Sequence, residues 1–238
     1  MHKGFSLVEL SVVLVILGLL TGGIIGGRSL IKAAEIKKLS ADISNYSSAV
    51  LQYRDKYDAM PGDHDIAAQY WPGKTDNGDG DGMIGDHWTS DDEDSMSMQH
   101  LALAGFIAHH PSDDYFPQVV GENIPAGPYP EQGYRLQSFP WNGACCTAYK
   151  HEGIGIVIGK VAPGADVWDG FLTPADAWHI DTKMDDGTPE KGAWLNQSKV
   201  GDICNKGTEG ATDTSDTGDN EYALESDEEV CNIIFMFK

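Results

Sequence analysis

Gly4-Phe5-Ser6-Leu7-Val8-Glu9-Leu10 opens an apolar run that continues without an ionisable residue from Leu10 to Gly27. As a helix, those eighteen residues rise about 27 Å, close to the hydrocarbon thickness of a bilayer. A polar leader, Met1-His2-Lys3-Gly4, precedes the run and carries one fixed positive charge at Lys3. A single acid, Glu9, lies just inside the apolar segment. A carboxylate at the centre of a membrane helix costs roughly 2.5–3.5 kcal/mol on insertion scales, so Glu9 demands a partner. This opening divides the chain into an anchor and whatever the anchor carries.

Outward from the run, the periodicity changes. Ile36, Leu39, Ile43, Tyr46, Val50, Tyr53 and Tyr57 recur at steps of three and four, with Lys37, Lys38, Asp42, Gln52, Arg54 and Asp55 between them. That is one narrow apolar stripe on a helix. No proline interrupts before Pro61, so one helix of about 80 Å is expected from Phe5 to near Met60. Met60-Pro61-Gly62 is expected to end it. The organisation that follows is a leader at 1–4, an apolar half-helix at 5–27, an amphipathic half at 28–60 and a globular head at 61–238.

Gly4-Phe5-Ser6-Leu7-Val8-Glu9-Leu10 with its apolar helix resembles the class III signal of type IV pilins and of the pseudopilins of type II secretion. The resemblance implies cleavage between Gly4 and Phe5 by the membrane-embedded prepilin peptidase, and N-methylation of Phe5. It places Glu9 fifth in the mature chain, where the family keeps a glutamate that pairs with the N-terminal ammonium of a neighbouring subunit. Two charges in lipid are tolerable when paired, which agrees. The partners implied are other pilin or pseudopilin subunits, the peptidase, an inner-membrane assembly platform and, before assembly, the lipid bilayer. The location implied is the inner membrane in a single pass, with the head in the periplasm, and then a pilus, pseudopilus or cell surface.

An ordinary secretory signal or a plain anchor would explain the apolar run, with Thr21-Gly22-Gly23 or Ile25-Gly26-Gly27 offering small residues for a cut. Neither has a use for Glu9 behind a Gly-Phe junction. The basic residues disagree with one another. Lys3 suits a cytoplasmic N-terminus, whereas Arg28, Lys32, Lys37 and Lys38 on the other side argue for the reverse. The leader motif and the cysteines outweigh that count. Gly18, Gly22, Gly23, Gly26 and Gly27 stand where the family often has a helix-breaking proline, and they either loosen the helix or allow close helix packing.

The net charge of −21 argues against a basic nucleic-acid surface, and no nucleic acid is expected as a partner. Four cysteines suit an oxidising compartment and allow three pairings. Pilin heads often carry a C-terminal disulfide loop, so the resemblance favours Cys204–Cys231. Cys145-Cys146 lacks the spacing of a metal site.

In the head, Asp76-Asn77-Gly78-Asp79-Gly80-Asp81-Gly82-Met83-Ile84-Gly85-Asp86 places oxygens at Asn77, Asp79 and Asp81, a turn glycine at Gly82 and an apolar anchor at Ile84. This resembles the first eight positions of an EF-hand-type calcium loop. It departs at the twelfth position, which is Trp88 instead of Glu, so Asp86, Asp91, Asp92, Glu93 or Asp94 would have to complete a calcium shell. The same residues also suit a plain Gly-Asp turn.

Further on, acids at Asp91 to Asp94 begin a short helix running through Met98, Leu101, Leu103 and Phe106. His109-His110 reads as an exposed helix end. Tyr134 to Gln137 and Ile154 to Ile158 read as strands, Thr173-Pro174 as a helix start, and Cys231 to Phe237 as a last, well-covered strand. The fold class expected is α+β, a long N-terminal helix packed on a loop-rich head with a small antiparallel sheet. Thr212 to Asn220, with Asp213, Ser215 and Asp219, reads as a solvated acidic loop.

No G-x-S-x-G, H-E-x-x-H or phosphate loop is present, so no enzyme activity is expected. The functional expectation is a structural filament subunit, tilted towards a minor one by the large head. The alternative is a pilin-anchored binding protein, an adhesin or DNA-uptake component, in which several of Trp71, Trp88, Trp141, Trp168, Trp178 and Trp194 would have to be exposed.

Overall fold

The computed structural model describes residues 7–85, 93–109, 117–139, 153–161, 167–189, 191–198, 204–206 and 221–237. Helix α1 runs Leu7–Tyr57, about 77 Å at 1.5 Å per residue. It stops a few residues short of the expected Met60. Asp58 takes a left-handed φ of 55°, and its N–H closes the last turn on the Arg54 carbonyl at 2.9 Å. Aspartate is one of the few residues that enter this region readily, so the helix is capped before Pro61 is reached.

The apolar start of α1 and its later stripe differ in burial. Leu7, Leu10, Val12, Leu14, Leu17, Leu20, Ile24 and Ile31 are exposed, whereas Ile36, Leu39, Ile43, Val50 and Tyr53 are buried. Tyr46 and Tyr57 pack at the margin of the same core. The stripe read at steps of three and four is therefore the face that α1 lays on the head.

Among the described residues, the head is a five-stranded antiparallel sheet with three further helices. In chain order these are α2 (Ala67–Tyr70), α3 (Glu93–Leu103), β1 (Gln132–Phe139), β2 (Gly153–Val161), β3 (Val167–Asp169), α4 (Pro174–Met184), β4 (Trp194–Ser198) and β5 (Cys231–Met236). The strand order is β1-β2-β5-β4, with β3 pairing the end of β2. β5 thus lies inside the sheet, paired on both sides, as its apolar sequence requires. Alternate residues face opposite ways. Tyr134, Leu136, Ile156, Ile158, Trp194 and Ile233 join α1 in the main core. Phe139, Val157, Leu195, Ile234 and Met236 form a second core on the other face.

Thr173 caps α4, accepting from the Asp176 N–H at 3.2 Å, with Pro174 in the first turn. Asp176 also pairs with Lys32 of α1. Cys204 and Cys231 form a disulfide, tying the segment after β4 to the start of β5. Cys145, Cys146 and the 212–220 loop lie outside the described residues.

Candidate functional site

The first candidate is the N-terminus of α1. Gly4 and Phe5, expected to be the processing residues, lie outside the described residues. Glu9 lies in the first turn of α1, where a negative charge suits the positive end of the helix dipole.

The second candidate is built by three chain segments that meet beyond the C-terminal end of α1. Pro61-Gly62-Asp63-His64 leaves the helix, residues 76–85 form a glycine-rich loop, and Glu93 starts α3. Backbone packing explains the glycines. A Cβ at Gly78 would lie 2.3 Å from the Gly62 carbonyl oxygen, and one at Gly62, already at φ 101°, would lie 2.5 Å from the Glu93 carbonyl oxygen. Any side chain at either position would push these segments apart. Ile84 fixes the far end of the loop. Its side chain is in the main core, its N–H donates to Ser138 Oγ at 2.7 Å, and its carbonyl accepts from the Ser138 N–H at 3.0 Å.

In this junction the carboxylates of Asp63, Asp79 and Glu93 each offer an oxygen, all within 4.8 Å of one another. Asp63 and Glu93 are buried and Asp79 is exposed. Both Glu93 oxygens accept backbone N–H groups, from Asp79 at 2.8 Å and from Gly85 at 3.1 Å. Asp63 Oδ2 accepts the Gly82 N–H at 3.0 Å. Asp63 Oδ1 is buried and has no hydrogen-bond partner among the described residues. Burial pushes the Asp63 carboxyl up to about 6, against the hydrogen bond from Gly82 and with the Asp81 and Asp79 charges adding to the rise. Burial likewise lifts Glu93 to about 7.

This differs from the constellation read along the loop. Asn77 Oδ1 accepts the Ala68 N–H at 2.8 Å at the start of α2, and Asp81 Oδ1 accepts the Met83 N–H at 2.8 Å. Asn77 therefore holds the start of α2 and Asp81 serves a local turn, as does Asp79 Oδ1, which accepts the Asp81 N–H at 3.0 Å; Asp81 is not in the acidic trio. Only Asp79 of that alternating set is. Asp86, Trp88, Asp91 and Asp92 lie outside the described residues. Of the two remaining shell candidates, Glu93 joins the trio, whereas Asp94 is held by Arg135, which also stacks over Trp168. Sequence reading missed Asp63. Its one local signal was the Pro-Gly-Asp turn directly after the long helix.

Behind the trio lies an aromatic block that sequence reading also missed. His64 is 1% exposed and His100 is fully buried. Tyr53 Oη and His64 Nδ1 are 2.7 Å apart. His100 Nδ1 accepts the Gly62 N–H at 3.0 Å, and its Nε2 is 3.0 Å from Thr75 Oγ1. Burial, with the nearby His64, lowers His100 to about 4, so both its nitrogens serve as neutral hydrogen-bonding groups. The rings of Tyr53, Tyr57, Tyr70 and Trp71 pack around the pair. These histidines position the chain as it leaves α1.

Among the described residues, the tryptophans offer no broad binding face. Trp194 is buried, Trp71 and Trp168 are half-buried, and Trp178 is the exposed one among the described residues. Trp88 and Trp141 lie outside them.

No curated protein and no solved structure matches the chain. Residues 1–25, however, match the family model described as the prokaryotic N-terminal methylation motif, so the N-terminus of this chain carries the signal of type IV pilins and pseudopilins.

Proposed function

We propose that this chain is made as a membrane-anchored precursor, cut between Gly4 and Phe5, N-methylated at Phe5 and built into a pilus or pseudopilus as a minor structural subunit. The observation that carries this reading is the exposed apolar half of α1, Leu7 to Ile24, which lies within the methylation motif at residues 1–25. Before assembly, lipid covers that surface. In the filament, the same half of neighbouring copies or related subunits replaces lipid, and Glu9 meets the ammonium of a neighbour's Phe5. The head faces the periplasm, where the Cys204–Cys231 disulfide persists. The role is structural, with no catalytic step.

The mature N-terminus, read by mass spectrometry of the protein from its native envelope, tests this reading. A chain beginning at N-methyl-Phe5 is expected. A chain beginning at Met1, or near Gly22 to Arg28, overturns it. Glu9→Ala should leave cleavage unchanged and lower incorporation into filaments by about a hundredfold or more, because breaking a buried ion pair costs about 3–5 kcal/mol. Incorporation at the wild-type level would remove the pairing role.

A further inference from the structure

We propose that Asp63, Asp79 and Glu93 form a calcium site that ties the exit of α1 to the glycine-rich loop and to the start of α3. Three observations converge on it. First, the geometry fits. Calcium–oxygen distances of about 2.3–2.6 Å allow two oxygens on one ion to stand up to about 5 Å apart, and a smaller ion such as magnesium demands a tighter, more regular shell. The 4.8 Å spread of the trio lies within the calcium range. Second, the donors are all hard carboxylate oxygens, the class that calcium takes.

Third, Asp63 is 6% exposed and its Oδ1 has no partner among the described residues, although its other oxygen and both Glu93 oxygens are each fixed by a backbone N–H. Lys32, Lys38, Arg135, Lys160 and Lys206 pair with other acids. A buried acceptor left unmade is costly, and a cation in the trio supplies what Asp63 lacks. Exposed Asp79 leaves the ion a path from solvent and room for water ligands. The ion would join three segments that otherwise meet through backbone packing and the hydrogen bonds of Asp63 and Glu93, and so stiffen the junction between stem and head.

The test uses the full chain in detergent, with calcium chloride against EGTA and magnesium chloride as the control. Calorimetry should show one calcium per chain, and the melting temperature should rise by about 3–6 °C at ten times the Kd. Asp63→Asn should weaken calcium binding by about tenfold or more, because affinity follows the charge of the ligand set. The amide introduced by that substitution can donate to its acidic neighbours, so the variant should melt no lower than wild type in EGTA. A merely structural aspartate would not behave that way.

Asp79→Asn, at an exposed position that cannot disturb the core, should weaken binding comparably. Asp81→Asn should change it less than about threefold. Absence of calcium binding at 5 mM (about five times the weak limit of roughly 1 mM for extracellular calcium modules), or wild-type affinity in Asp63→Asn, overturns the proposal. So does loss of binding in Asp81→Asn with Asp63→Asn unaffected, which would place the ion in the loop alone. None of these outcomes depends on whether the chain enters a filament.

Discussion

The two halves of α1 share one backbone and one helical geometry, yet they present apolar side chains to opposite surroundings. Leu7 and Leu19 are 86% and 72% exposed, whereas Leu39 and Tyr53, further along the same helix, are fully buried. The difference lies in arrangement. Before Arg28 the apolar residues run continuously around the helix, so no single face could bury them, and none of the described residues covers them. From Ile36 to Tyr57 most of them fall in one stripe, and the head covers that stripe. A helix that is apolar all round needs an apolar solvent or other helices, whereas one with a stripe needs only a neighbour. The first half is thus built for lipid and for other subunits, and the second for its own head.

The comparison breaks most visibly through paired truncations. Tyr53→Ala removes a fully buried ring and its contact with His64, and should destabilise the head by about 3–5 kcal/mol. Leu14→Ala, in the exposed half, should change head stability by less than about 0.5 kcal/mol. Near-UV circular dichroism melts of the full chain in detergent compare the two. A Leu14→Ala loss near that of Tyr53→Ala would mean the halves are not energetically separate.

Much of this division was legible in the sequence because it is local. The apolar run, the stripe from Ile36 to Tyr57 and the Thr173-Pro174 start of α4 each report the environment of consecutive residues, and each stands where it was expected. The Cys204–Cys231 bond came from resemblance instead, and the structure contains it. The candidate metal site was only half legible. Alternation in Asn77, Asp79 and Asp81 invites a single-loop reading, because acids in a glycine-rich turn look alike whether they face an ion or a nearby backbone N–H. Asn77 and Asp81 do the latter. Asp63 and Glu93 reach the site from either side of the loop, through contacts that only the packed chain creates. His64 and His100 were illegible for a related reason. Polar residues are read as wet unless a specific partner is known, and the partners of these two, Tyr53, Gly62 and Thr75, meet them only in the folded head.

Reduction of the Cys204–Cys231 bond sharpens the comparison at the next scale. The bond closes a span of 27 residues, and releasing such a loop should cost about 3–4 kcal/mol through the unfolded chain. Cys231→Ser, or a reductant at neutral pH, should destabilise the head by that amount while leaving membrane extraction behaviour unchanged. An unchanged melt would show that the segment from Cys204 is held by β-bridging and packing alone, through contacts such as the Ala223 N–H on the Cys204 carbonyl.

The smallest effect expected concerns pH, and it too belongs to the head alone. Asp181, fully buried in α4, accepts from Tyr222 Oη at 2.7 Å and from the Gly187 N–H at 3.1 Å. Burial nevertheless outweighs these bonds and lifts its carboxyl to about 6, from 3.8. An acid whose pKa is higher in the folded chain than in the unfolded chain favours folding when protonated. Its contribution is therefore complete below about pH 4 and is lost as pH rises through about 6. A shift of roughly two units corresponds to at most about 3 kcal/mol. Asp63 and Glu93 titrate in the same direction, so the useful quantity is the difference between wild type and Asp181→Asn, in which their slopes cancel. Relative to Asp181→Asn, wild type should lose several degrees of melting temperature between pH 4 and pH 7. A flat difference would mean that the two hydrogen bonds hold the Asp181 carboxylate charged across that range, and that burial in the head costs this acid nothing.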